Sequence, residues 1–273
     1  MPNPVDFFIH IPKTAGTTLA QIIASQYPRG SVLTFPDLQI GDDERARAIR
    51  QMPEETRIVA GHLHFGYTQL CPRGSRPFTM LRDPVERFIS LYYYIGREPK
   101  HHHYDAFQRG ELRIDELAER QGRAQACFVA GMLPKDASPD DELIARATEN
   151  LEKTIVSVGL TERFDESLLL YNRALGWKVE GYARENVTRN RPTQDRLAPQ
   201  DLSVIREKSA VDQQVYDIAS RLFEKRIAGM PPTFAEELAA LRRKVIRKEN
   251  VSWIRSGLSR VKSALSGQRA LEG

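Results

Sequence analysis

Five short runs of apolar, β-favouring residues recur along this chain, and longer stretches of helical period separate them. The runs are Phe7-Phe8-Ile9-His10-Ile11, Ser31-Val32-Leu33-Thr34, Arg57-Ile58-Val59-Ala60, Phe78-Thr79-Met80-Leu81 and Ile155-Val156-Ser157-Val158. A strand that is apolar along nearly its whole length needs cover on both faces. Such strands, each followed by a helix or a long connection, predict an α/β fold: a central parallel sheet flanked by helices. Helices are expected over Thr17–Ser25, Val85–Ile95, Asp141–Asn150 and Glu166–Leu175. The third opens on Ser138-Pro139-Asp140-Asp141, with Pro139 at the first helical position. A longer helix carries Val211, Val215, Ile218, Ala219, Leu222 and Phe223 on one face and closes at Gly229. Pro231-Pro232 then introduces a last helical region, so the C-terminal portion is helical.

The net charge of +4 hides an asymmetry. Residues 242–273 hold nine basic and two acidic residues, which leaves 31 basic against 34 acidic in the rest. The body is mildly acidic, so the global balance gives no argument for nucleic-acid binding. One α/β domain over 1–241 and a basic tail over 242–273 are expected. No apolar run approaches the roughly 20 residues of a membrane-spanning helix. Residues 1–15 lack the features of a secretory signal, so a cytoplasmic protein is expected. The two cysteines, Cys71 and Cys127, are too few for a disulfide framework or a four-cysteine zinc site and read as packing thiols.

Chemistry concentrates in two segments. After the first strand come Pro12-Lys13-Thr14-Ala15-Gly16-Thr17-Thr18 and then a helix. A helix N-terminus offers unpaired N–H groups and the positive end of the dipole, which suits an anion. Gly16 permits close approach of the backbone, Lys13 adds a point charge, and Thr17 and Thr18 add hydroxyls. The ATP-binding pattern G-x-x-x-x-G-K-[ST] is absent, because Lys13 precedes Gly16. The segment is a P-loop-like strand–loop–helix, and an ordinary turn with a Thr N-cap is the plain alternative.

The second segment runs Met80-Leu81-Arg82-Asp83-Pro84-Val85-Glu86-Arg87-Phe88-Ile89-Ser90-Leu91-Tyr92-Tyr93-Tyr94. It leaves a strand at Arg82 and enters a helix at Pro84, with Asp83 as N-cap. Arg82 from the strand end and Ser90 from the helix can hold a second phosphate. The alternative is an Arg82 paired with a local carboxylate and a Ser90 facing solvent.

Together the two segments resemble the PAPS-dependent sulfotransferases (PAPS is 3′-phosphoadenosine-5′-phosphosulfate), in particular the carbohydrate branch with the heparan sulfate 2-O- and 6-O-sulfotransferases. Lys13-Thr14-Ala15-Gly16-Thr17 is similar to the family's 5′-phosphosulfate loop, and Arg82 to Tyr94 to its 3′-phosphate segment. The likeness takes in Gly159-Leu160-Thr161-Glu162-Arg163-Phe164-Asp165 as a fifth-strand exit. It also takes in Asn186-Val187-Thr188-Arg189 as the loop over the nucleotide. It covers residues 5 to about 230. What it implies is sulfuryl transfer from PAPS to a hydroxyl on a carbohydrate or glycoconjugate, with PAP, the desulfated nucleotide, as product and no metal. Lys13, Thr14, Ala15, Gly16, Thr17, Thr18, Arg82, Ser90, Thr188 and Arg189 would bind the donor, and Lys13 would stabilise the leaving oxygen.

An alcohol loses a proton as it attacks sulfur, and histidine is the usual base near neutral pH. Of the six histidines, His62 in Gly61-His62-Leu63-His64 follows the third strand, where the carboxyl ends of parallel strands gather ligands. The resemblance places the family's catalytic histidine in such a Gly-His pair, so His62 is the expected base, and Gly61 beside it would let an acceptor come close. His64 would share a face with it in a straight strand and is the second catalytic candidate. A zinc site from His62 and His64 lacks an evident third ligand. His10 reads as a packed residue inside the first strand. His101-His102-His103 reads either as a solvated loop or as the rim of an acceptor groove.

The tail has Ile254, Leu258, Val261 and Leu265 at helical spacing beside Arg255, Arg260 and Lys262. Peripheral contact with an anionic membrane, packing on the domain or a second subunit, and free movement all fit. Two other functions compete with sulfuryl transfer: ATP-dependent phosphoryl transfer, which needs Mg²⁺ and a strand-end carboxylate, and a non-catalytic nucleotide-binding module.

Overall fold

The computed structural model describes residues 3–35, 40–133, 139–183 and 197–245. Five parallel strands form one sheet in the order β2-β3-β1-β4-β5. They are β1 (Val5–Ile9), β2 (Val32–Phe35), β3 (Ile58–Gly61), β4 (Ser75–Leu81) and β5 (Ser157–Leu160). Every side chain of β1 and β3 is buried, as expected of strands covered on both faces. Asp6 is the polar exception in β1, and its carboxylate accepts from Tyr27 Oη at 2.5 Å and Arg76 Nε at 2.8 Å. Those bonds offset the desolvation of a charge held in the core.

Helices follow the strands: α1 (Gly16–Gln26), α2 (Asp42–Arg50), α3 (Pro84–Ile95), α4 (Tyr104–Gln108), α5 (Ile114–Gln121), α6 (Ala124–Ala130), α7 (Asp140–Glu149), α8 (Phe164–Leu175), α9 (Pro199–Lys208) and α10 (Ala210–Ala228). Asp83 caps α3 by accepting the Glu86 N–H at 2.9 Å, with Pro84 at the first position. Pro139 stands at the N-cap of α7 rather than inside it. Gly229 closes α10.

Strand β1 ends at Ile9, two residues earlier than the apolar run suggests. Ile11 is buried like a strand residue but lies in the loop. His10 is therefore at the strand exit, its N–H still bonded to Gly61 O at 2.9 Å.

The boundary expected between 241 and 242 does not stand. A helical stretch over 233–245 runs through it, and Phe234, Leu241 and Val245 are buried in the main core. Arg242 pairs with Asp165 at 3.3 Å and Lys244 with Glu180 at 2.7 Å. The apolar spacing of 234, 238, 241 and 245 continues past residue 242, so the charge change does not mark a structural edge. Positions 246–273, with the tail's amphipathic spacing, lie outside the described residues. Among the described residues no helix is long and apolar enough to cross a membrane.

The connection after β1 runs toward the β2 edge, while the one after β4 runs toward β5. Strand order thus reverses between β1 and β4, and the crevice at their carboxyl ends is where a doubly wound sheet binds ligands. The Lys13 loop and the Arg82 turn flank it.

Candidate active site

The loop from Ile11 to Gly16 holds its shape by local bonds and two left-handed residues. Lys13 has φ 73° and Ala15 φ 62°, conformations that side chains other than glycine seldom adopt. Thr14 between them is fully buried and donates its hydroxyl to Ile11 O at 2.8 Å. Its hydroxyl thus shapes the loop, whereas the expectation had it among the donor-binding groups. Ala15, not a threonine, stands at the N-cap of α1, and no side chain caps this end. A helix start directs its first-turn N–H groups outward along the axis, an end that suits an anion. Thr17 is exposed and Thr18 buried.

Gly16 has a steric reason as well. A Cβ placed on it would fall 1.6 Å from His10 Nε2. The His10 ring therefore occupies the space that any other residue at 16 would need.

Arg82 joins the two segments. Its side chain is 7% exposed, and Nη1 donates to Lys13 O at 3.0 Å while Nη2 lies 3.8 Å from Glu86. Its main chain is clamped by Gln125, whose side chain accepts from Arg82 N at 2.9 Å and donates to Arg82 O at 2.8 Å. So the guanidinium braces the phosphate-type loop. Ser90 is half-buried about two turns into α3.

Arg87, in the same segment, is wholly buried against Asp212 at 3.8 Å. Asp212 also accepts the Gln125 and Ala126 N–H groups at 3.1 and 2.8 Å. Burial pushes its carboxyl up to about 6, against the opposing pull of Arg87.

The histidines separate cleanly. His62 Nδ1 is 3.0 Å from His10 O. A carbonyl oxygen only accepts, so Nδ1 carries the proton and the basic lone pair of the neutral ring is on Nε2. The His62 and His10 rings stack at 4.3 Å, 23° apart. Gly61 has φ 153°, a backbone conformation that residues with a Cβ rarely adopt, and a Cβ there would meet Phe35 O at 2.2 Å. Its backbone angle and the neighbouring strand both require glycine here. The chain turns after β3, so His64 does not share a face with His62. His64 instead caps the 3₁₀ turn Phe65–Leu70, accepting Gly66 N–H through Nδ1 at 3.1 Å, and packs on Tyr67. That is a positioning geometry for the turn.

Three residues near this crevice have roles that spacing did not suggest: Tyr94, Gln125 and His10. The Lys13 ammonium lies 3.8 Å from the Tyr94 ring centroid. His101 meets the same ring edge-on at 6.1 Å. Burial, then His102 and His103, and lastly the charge of Lys13 hold the His101 imidazole below its usual pKa. The triple-histidine turn is thus within electrostatic reach of Lys13. Among the described residues no three His, Cys, Asp or Glu side chains converge as a metal site would require. Cys71 and Cys127 are buried and not joined in a disulfide, and burial pushes Cys71 up to about 11. Thr188 and Arg189 lie outside the described residues.

Known proteins agree with the motifs. The model of the galactose-3-O-sulfotransferase family matches residues 2–254. Bovine (Bos taurus) galactose-3-O-sulfotransferase 3 is 29% identical over 88% of this chain and 62% of its own length. Mouse (Mus musculus) galactose-3-O-sulfotransferase 2 is 25% identical over 68% of this chain and 50% of its own. The chain thus spans less than two thirds of the curated relatives it matches. A sulfotransferase structure from Alicyclobacillus acidocaldarius aligns at 14% identity and TM-score 0.43, over 81% of this chain and 97% of that one. The family match extends over nearly the whole chain and narrows the carbohydrate sulfotransferases to one group: the chain belongs to the galactose-3-O-sulfotransferase family.

Proposed function

We propose that this protein moves a sulfuryl group from PAPS to a hydroxyl of a carbohydrate, the 3-hydroxyl of a galactose unit in keeping with its relatives' names. The observation that carries the reading is the Arg82–Lys13 bond, which joins the two phosphate-type segments at the sheet's switch point. A cationic loop with αL turns, helix-start amides, Lys13 and a buried arginine fits a ligand carrying several negative charges. The donor supplies an activated sulfuryl group whose departing oxygen becomes anionic.

In this reading the chain's own groups do three things. Lys13 and the first-turn amides of α1 stabilise the charge that develops on the leaving oxygen. Ser90 and Arg82 hold the 3′-phosphate, with Arg82 also bracing the loop. His62 Nε2 takes the acceptor's proton, because Nδ1–H is held by the His10 carbonyl and cannot accept. His64 supports the turn beside it, and Thr188 and Arg189 complete the nucleotide's outer side. The acceptor would enter past Tyr94 and the 101–103 turn.

The test is transfer from radiolabelled PAPS to a panel of galactose-terminated and other hydroxylated acceptors, followed by location of the sulfate. Label on galactose O3 is expected. No transfer to any acceptor, together with thermal stabilisation by ATP plus Mg²⁺ and not by PAP, would replace this reading with phosphoryl transfer.

A further inference from the structure

His62 is held by more than its own backbone. The His10 ring stacks with two other rings, His62 at 4.3 Å and Phe8 at 5.5 Å, both near-parallel to it. Its far edge abuts Gly16, so no side chain separates the ring from the start of α1. One residue therefore contacts His62 on one face and the phosphate-type loop at its edge. Its backbone carbonyl fixes the tautomer of His62, and its ring limits how that imidazole can tilt. Burial first, then the charges of His62 and Lys13, keep the His10 imidazole unprotonated down to about pH 3. An uncharged ring can stack on His62 in both of its protonation states, and it presents an electron-rich face to the imidazolium that forms when a proton is taken.

We propose that His10 is a positioning residue for this reaction: its stacked ring holds His62 in the orientation in which the His10 carbonyl can fix the tautomer a base needs, and ties that orientation to the phosphate-type loop. The inference rests on the reading of His62 as base. His10 itself touches no reacting atom in this scheme.

Two variants and one spectroscopic signature test it. His10→Asn removes the ring, and His10→Phe keeps a stacking ring without the nitrogens. Nitrogen-15 NMR of His62 in the donor-free protein reads the tautomer without reference to turnover. Wild type should show His62 as one Nδ1–H tautomer, and His10→Asn should show a mixture. In His10→Asn kcat should fall roughly 10- to 100-fold, the scale of a small misplacement of a reacting group. PAP affinity and acceptor KM should stay within about twofold of wild type. His10→Phe should recover most of the lost kcat; if it does not fold, the His10→Asn tautomer decides alone.

The proposal is overturned if His10→Asn keeps both the single tautomer and its kcat. Loss of PAP affinity in step with kcat would also overturn it, since the ring would then serve the loop and not the base. A His10→Phe that folds but turns over no faster than His10→Asn removes the stacking role. His62→Ala in the same assay separates the two levels. If it costs nothing, His62 is not the base and the reading beneath this inference fails. If it costs 10²-fold or more while His10→Asn is silent, only the inference fails.

Discussion

The ammonium of Lys13 stands 3.8 Å from the centroid of the Tyr94 ring, so a residue of the phosphate-type loop is held by the far end of α3. A lysine on a flexible stem would otherwise sample water. A half-exposed cation–π contact restricts it for about 0.5–1 kcal/mol.

Tyr94→Leu should therefore lower kcat/KM for PAPS about two- to fivefold, the equivalent of that contact. Tyr94→Phe, which keeps the ring, should stay near wild type. Initial rates at varied PAPS decide it, and equal losses in both variants would move the effect from the ring to the hydroxyl.

Arg82 and Ser90 are expected to part company. Arg82→Ala removes both a 3′-phosphate contact and the donor to Lys13 O, so it should weaken PAP most and adenosine 5′-phosphosulfate to a lesser extent. Ser90→Ala should weaken only PAP, by about 1 kcal/mol or roughly fivefold, because the second ligand lacks a 3′-phosphate. Isothermal titration with both ligands measures this. A Ser90→Ala loss shared by the two would take Ser90 away from that phosphate.

His62→Ala should lower kcat by roughly 10²–10⁴, with PAP affinity retained. His64→Ala removes a cap on the following turn, so it should cost about 1 kcal/mol of stability and leave most of kcat. The reverse pattern in steady-state kinetics would exchange the roles of the two residues.

Asp212→Ala should destabilise the fold by about 3–5 kcal/mol, since it leaves Arg87 charged and buried without its counter-ion. Urea denaturation followed by circular dichroism measures it. A cost below about 1 kcal/mol would mean that the guanidinium finds other company in the folded state.

Acid should expose His10. Above about pH 6.5 its imidazole is neutral in the folded and unfolded chain alike and contributes nothing to pH dependence. Between pH 6.5 and about 3 the unfolded chain binds a proton there that the folded chain does not. Stability then falls by up to about 1.4 kcal/mol per unit as pH drops through that window. His10→Asn should flatten the acid limb of the stability curve relative to wild type, in denaturant midpoints taken from pH 7 to 4. Parallel limbs would assign the acid sensitivity elsewhere.

What the sequence made legible was whatever is local. Five apolar runs became five parallel strands, and Asp83-Pro84 became a capped helix start, because each depends on a few adjacent residues. The end of β1 was misplaced since Ile11 is as buried in a loop as it would be in a strand. The resemblance drew Lys13 and Arg82 into one site, but not the bond between them, which spans 69 positions. Gln125 and Asp212, 87 positions apart, were invisible for the same reason: a buried amide and a buried carboxylate have no spacing signature. Whether His64 shares a face with His62 depended on a straight strand, and the chain bends at His62, just past β3.

The contact between His10 and Gly16 also sets an order on the substitutions this chain can accept. The two positions share one small volume, so a side chain at 16 is tolerable only after the ring at 10 has been given up. A library that varies position 16 alone should return glycine almost without exception. One that varies both together should return small residues at 10 wherever 16 has changed. Neither site can be improved by itself, and any redesign of the anion loop begins one strand exit away from it.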